Sequence, residues 1–132
     1  MMEPGRELEI NIAVAKHVMG FHAAMSEAII GGVRCWSETA ECMIVGFNPV
    51  RDIADAWQVV ERFRRGDIKA EIEALMVAAC VELEITDYPE PDGDCLCRIY
   101  SPTCAKVEAR AHEMPLAICK ASLKAVGYEV EK

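Results

Sequence analysis

The chain has 132 residues, 52% of them apolar and 27% charged, enough to bury the core of one domain and too apolar for a disordered chain. Its longest unbroken apolar run, Ala74 to Val81, is far short of the ~20 residues of a membrane span, and Met1-Met2-Glu3-Pro4 lacks the basic and apolar regions of a secretory leader. The net charge of −8 argues against general binding to a phosphate backbone, which needs clustered Lys and Arg.

In chain order, Arg6 to Met19 predicts a first helix. Leu8, Ile12, Ala15 and Met19 form its apolar stripe, with Glu7, Glu9, Asn11 and Lys16 outside it, and Gly20 ends it. Phe21 to Ile30 is ambiguous, and Gly31-Gly32 breaks whatever forms there. Val33 to Trp36 and Glu41 to Val45 predict two short strands of a hairpin. The strongest amphipathic pattern runs from Phe47 to Gly66. Asn48 and Pro49 fit its cap and first position, and Arg62, Arg64 and Arg65 crowd its negative end before Gly66. Ile53, Ala56, Trp57, Val60 and Phe63 share the face expected to be buried.

Asp67 to Ala79 is rich in helix formers, with Ile68, Ile72, Leu75, Met76 and Ala79 on one stripe, and is expected to be a helix. Cys80 to Tyr88 predicts a strand with Val81, Leu83 and Ile85 inward and Glu82, Glu84 and Thr86 outward. A turn over Pro89 to Asp94 leads to a strand over Cys95 to Tyr100, and a turn over Ser101 to Thr103 leads to a third strand over Cys104 to Ala111. Pro115 opens a last helix, on which Leu116, Cys119, Leu123 and Val126 share a face and which Gly127 stops. The pattern is that of a single α+β domain, with an antiparallel sheet covered by helices.

Seven cysteines without a leader read as reduced thiols of a cytoplasmic protein, most of them acting as small hydrophobes. The acidity is local. Asp67 to Asp94 holds nine acids against one base, and the rest of the chain is balanced. Glu71, Glu73, Glu82 and Glu84 are therefore the candidate surface for a partner, against the plainer reading of a solvated acidic face.

Three pieces of the chain resemble a known family. They are Lys16-His17-Val18-Met19-Gly20-Phe21, the stretch Phe47-Asn48-Pro49 through Asp52-Ile53-Ala54-Asp55-Ala56-Trp57-Gln58-Val59-Val60-Glu61, and Glu108-Ala109-Arg110-Ala111 through Pro115 to Leu123. Together they are similar to the phage ABA-sandwich domain, found in small proteins of bacteriophages and prophages. The resemblance implies an α/β/α layered fold, with the sheet between helices, and a phage origin. It implies no activity and no catalytic residues. Phe21 stands where the family usually has tryptophan and Glu113 where it often has a threonine cap, and Asp67 to Ala79 reads as a helical insertion.

Chemistry is sparse. Cys95 and Cys97 point to one face of a strand, and with Cys104 and His112 they form the only candidate metal set, Cys80 being a further donor. Their spacing is not that of a zinc knuckle, and buried structural thiols are the simpler reading. His17, His22 and His112 have no catalytic partner at a recognised spacing. Trp36 and Trp57 read as core rather than ligand-stacking groups, Trp57 on the buried face of its helix and Trp36 with its place left open. No cofactor is expected. The leading expectation is a non-enzymatic phage accessory protein of the host cytoplasm that binds a host protein or a small molecule. A small enzyme with a thiol or carboxylate in a pocket between sheet and helices, and a virion or assembly component, are the alternatives. A homodimer is expected if Val33 to Trp36 leaves a sheet edge open.

Overall fold

The computed structural model describes residues 4–23, 33–37, 41–65, 80–90, 93–100 and 106–128, with the backbone alone at 4–5, 22–23, 33, 35 and 87–90. The expected helix over Asp67 to Ala79 lies outside the described residues.

Helix α1 spans Pro4–Ala13 and runs directly into a π-helical turn, Val14–Val18. The wider turn is closed by Met19 N–H donating to Val14 O at 3.0 Å, and Phe21 N–H reaches back to Ala15 O at 2.8 Å. Gly20, at φ +72°, makes the stop expected of it. The buried face is not the expected stripe. Ile10, Asn11, Ala13, Val14, Ala15 and Val18 are buried, whereas Leu8, Ile12 and Met19 are only partly so. Glu7 and Asn11, expected outside, are also buried. Both are satisfied by partners distant in sequence. Arg51 donates from Nε and Nη2 to the two carboxylate oxygens of Glu7, each at 2.8 Å. Asn11 Nδ2 donates to Asn48 Oδ1 at 2.8 Å, and Val50 N–H donates to Asn11 Oδ1 at 3.1 Å. A polar group with such partners can leave water at little cost.

Strands β1 (His22–Ala23), β2 (Val33–Ser37) and β3 (Cys42–Phe47) form an antiparallel sheet in that order. The expected hairpin is present. Of the edge expected to be open at Val33 to Trp36, β1 covers Cys35 and Trp36, with Ala23 and His22 opposite them.

Helix α2 spans Ile53–Arg65. It begins later than Asn48 and Pro49 suggest. The Asn48 carbonyl closes a turn by accepting from Arg51 N–H and Asp52 N–H, and the cap is Asp52, whose Oδ1 accepts from Ala54 N–H at 2.8 Å. Asn48 is engaged elsewhere: its side chain by Asn11, its backbone N–H by Asp55 Oδ2. Ala56, Val59, Val60 and Phe63 are buried. Ile53 and Trp57, expected on the same face, are 52% and 45% exposed. At roughly 100° per residue both lie on the flank of the stripe, not at its centre.

Strands β4 (Cys80–Glu90), β5 (Gly93–Tyr100) and β6 (Lys106–Ala111) form the expected antiparallel meander. Leu83 faces Cys97, and Cys97 faces Ala109, so Val81, Leu83, Ile85, Cys95, Cys97, Ile99, Val107, Ala109 and Ala111 share one side. Helix α3 (Met114–Ala125) covers that side over β5 and β6, while β4 lies beside α2. Leu83 and Ile85, expected inward, are consequently 36% and 69% exposed. β4 runs through Pro89 and Glu90, shortening the expected turn, and Gly93 at φ +129° packs against the Ala111 carbonyl.

In α3, Ala117, Ile118, Cys119, Ala121, Ser122, Leu123 and Ala125 are all buried, because α2, the π-helical turn and the sheet surround it. Pro115 opens it as expected, and Glu113 occupies the cap position without a side-chain cap bond. Gly127 at φ +83° and the bond from Tyr128 N–H to Leu123 O at 2.9 Å end it. The architecture is the expected α+β class, antiparallel sheets packed against helices around one core.

Candidate ligand-binding site

The outer face of α2 carries Trp57, Gln58, Glu61, Arg62 and Arg65 at i, i+1, i+4, i+5 and i+8. These five side chains line a half-open cavity of about 450 Å³, together with Met19, Gly20, Phe21 and Ser37. The turn at Gly20 brings the chain back against α2 at this point, and the Phe21 ring is fixed edge-on to Phe47, centroids 5.5 Å apart.

Arg62 holds the two walls together. Its Nε donates to Val18 O at 3.2 Å, satisfying a carbonyl at the end of the π-helical turn. A side chain at position 20 would meet Arg62 Nη2 at an ordinary contact distance of 3.4 Å, so glycine is favoured here by its φ of +72°. Nη1 and Nη2 make no hydrogen bond to any described residue. Arg62 Nε therefore serves the fold, while the side chain as a whole also lines the cavity. Arg65 adds a second cation, and Glu61, which pairs with Arg64 at 3.5 Å, adds one carboxylate. Two arginines against one glutamate give the lining a net positive charge in a chain of net charge −8. No histidine or cysteine lines the cavity among the described residues. An aromatic wall beside guanidinium groups suits a small anion with an apolar or planar part.

The expectation that Trp57 is a core residue is overturned, since it is exposed and lines this cavity. A signal was present in the sequence: Trp-Gln-x-x-Glu-Arg-x-x-Arg is itself a helical stripe, displaced from the apolar one.

The other candidates fall elsewhere. Cys95 and Cys97 share a face of β5, as read, but that face is buried under α3. Burial pushes the Cys97 thiol up to about 12, and burial followed by the neighbouring Cys97 pushes Cys119 higher still. Cys95 is raised by burial and then by Asp94, and its Sγ donates at 3.9 Å to Asp94 Oδ1 and at 3.8 Å to His112 O. Cys80 belongs to the opposite face of the sheet, facing Tyr100, and Cys104 is outside the described residues. Among the described residues, no three His, Cys, Asp or Glu side chains converge as a metal site. Glu82 and Glu84 are exposed but lie 3.5 and 3.7 Å from Arg98, which also donates to Glu108 at 3.1 Å. Glu71 and Glu73 are outside the described residues.

A family model described as the phage ABA sandwich domain matches residues 12–123. A crystal structure of a phage protein from Bacillus cereus ATCC 14579 is similar in fold, with a TM-score of 0.65 and 21% identity over 99% of this chain and 94% of that one. No curated protein matches the chain. No described helix is long and apolar enough to cross a membrane.

Proposed function

The chain belongs to the phage ABA sandwich family, and on that premise we propose that it is a phage accessory protein that acts by binding a small organic anion, without transforming it. The observation that carries this reading is the cavity along the C-terminal half of α2, lined by Trp57, Arg62 and Arg65. A volume of about 450 Å³ falls within the ~300–1,000 Å³ typical of small-molecule sites. The lining supplies binding groups, an aromatic face and cations, rather than a nucleophile with a base to activate it. Glu82 and Glu84 support capture of a basic host protein less well, because Arg98 already neutralises part of their charge within the sheet.

The test is native mass spectrometry of the pure protein with indole-3-acetate, ribose 5-phosphate and the four common nucleoside monophosphates. A one-to-one adduct that Trp57→Ala abolishes, with the ligand recovered unchanged, supports the proposal. Absence of any adduct contradicts binding, and a changed ligand replaces this reading with the enzymatic one.

A further inference from the structure

Resting on the reading above, the geometry points to a nucleoside monophosphate as the ligand, its base against Trp57 and its phosphate on Arg62 and Arg65. Four features of the cavity converge on this class. The first is charge. Two arginines lining one space match a phosphate monoester, which carries about −1.5 to −2 at neutral pH, better than a carboxylate with its single charge. The second is preorganisation. The Arg62 Nε bond to Val18 O fixes the plane of the fork, so presenting Nη1 and Nη2 to an oxyanion costs little further side-chain entropy.

The third feature is the separation of the groups. Trp57 and Arg65 are eight residues apart on one face of α2, about 12 Å along the axis at ~1.5 Å per residue. A base and a phosphate joined by a sugar can reach from Trp57 to the arginines along that span. The fourth lies between them. Gln58 is next to Trp57 and Glu61 one turn along, where an amide can meet a base edge and a carboxylate can accept from ribose hydroxyls. A nucleic-acid strand is a different ligand, because its continuous negative charge meets a chain of net charge −8.

Isothermal titration of the full chain at fixed ionic strength tests the assignment. The probes are the four common nucleoside monophosphates, their nucleosides, ribose 5-phosphate and indole-3-acetate. The best monophosphate should bind at least about tenfold tighter than both its nucleoside and ribose 5-phosphate, because each lacks one of the two anchors. Arg65→Gln, at an exposed position, should weaken the monophosphate about tenfold and leave the nucleoside unchanged. Trp57→Ala should weaken both equally. Arg62→Lys keeps the charge and loses the fork, and should weaken the monophosphate in a protein that melts as a folded domain. A nucleoside as tight as its monophosphate, ribose 5-phosphate as tight as either, or no effect of Arg65→Gln overturns the assignment. Indole-3-acetate binding that depends on Trp57, with no heat from any nucleotide, overturns the nucleotide assignment and leaves anion binding standing. No heat from any probe defeats both.

Discussion

Replacing Asn11 with alanine should destabilise the domain by about 3 kcal/mol, a large effect for a polar residue on a helix. Asn11 is fully buried, accepts from Val50 N–H at 3.1 Å and donates to Asn48 Oδ1 at 2.8 Å. Truncation leaves the buried Val50 N–H without this acceptor, at about 2 kcal/mol. The Asn48 oxygen is only part-buried and can turn to water, so its loss adds roughly 0.5 kcal/mol. The void left by the amide adds roughly 0.5 kcal/mol more. For a 132-residue chain, an unfolding entropy near 2.1 cal/mol/K per residue converts 3 kcal/mol into a fall in Tm of about 11 °C. Urea unfolding followed by circular dichroism should show a lower midpoint with the slope unchanged. Asn48→Ala should cost only about 1 kcal/mol, since it leaves the bond between Val50 and Asn11 in place. If Asn11→Ala costs less than Asn48→Ala, the assignment of the stabilisation to the buried Val50 N–H is wrong.

Gly93→Ala should prevent folding at ordinary temperature, because the added Cβ would fall within the Ala111 backbone and the residue sits at φ +129°; a variant that melts within a few degrees of the parent contradicts this. Asp55 gives a pH prediction. Burial, the largest cause, raises its carboxyl above the ordinary value, while the Asn48 N–H opposes the shift. The folded chain therefore keeps this proton at a pH where the unfolded chain has lost it, and the charged form costs stability above the folded pKa. Relative to Asp55→Asn, the parent should gain stability as pH falls through the carboxylate range, and a relative loss on acidification refutes the sign. Iodoacetamide should label the exposed Cys42 and Cys80 in the native protein but reach the buried Cys97 and Cys119 only on unfolding. Peptide mapping reads the four sites, and native labelling of Cys119 would contradict its burial.

Much of the fold was legible because its signals are local. Gly20 and Gly127 stop helices where the sequence places them, Pro115 opens α3, and the alternation through Cys95 to Ala111 sets the sheet faces. The failures share one cause, which is dependence on partners far along the chain. Asn11 and Glu7 read as solvent-facing because Val50, Asn48 and Arg51, which satisfy them, lie 37 to 44 residues away. Asn48 reads as a helix cap until Asn11 and Asp55 claim it, and Asp52 takes its place. Ile85 alternates like a buried residue, yet β4 lies beyond the cover of α3. The candidate site suffered in the same way. Trp57 reads as core by its apolar character, and only the approach of Gly20 and Phe21 to α2 turns it into the wall of a cavity. The arginines at the end of α2 read as partners of the helix dipole. Arg62 has the further tasks of bonding Val18 O and facing the cavity.

The central claim, that a small organic anion binds along the C-terminal half of α2, is tested most directly through the two tryptophans. Trp57 lines the cavity and Trp36 does not. In a ¹⁵N-labelled sample their indole N–H groups give two cross-peaks, assigned by Trp57→Phe. Titration with the nucleoside monophosphates should move the Trp57 peak saturably while the Trp36 peak stays within a fraction of that shift. A Trp57 peak that stays still through titration with the nucleotides and indole-3-acetate, or moves only in step with Trp36, would contradict it.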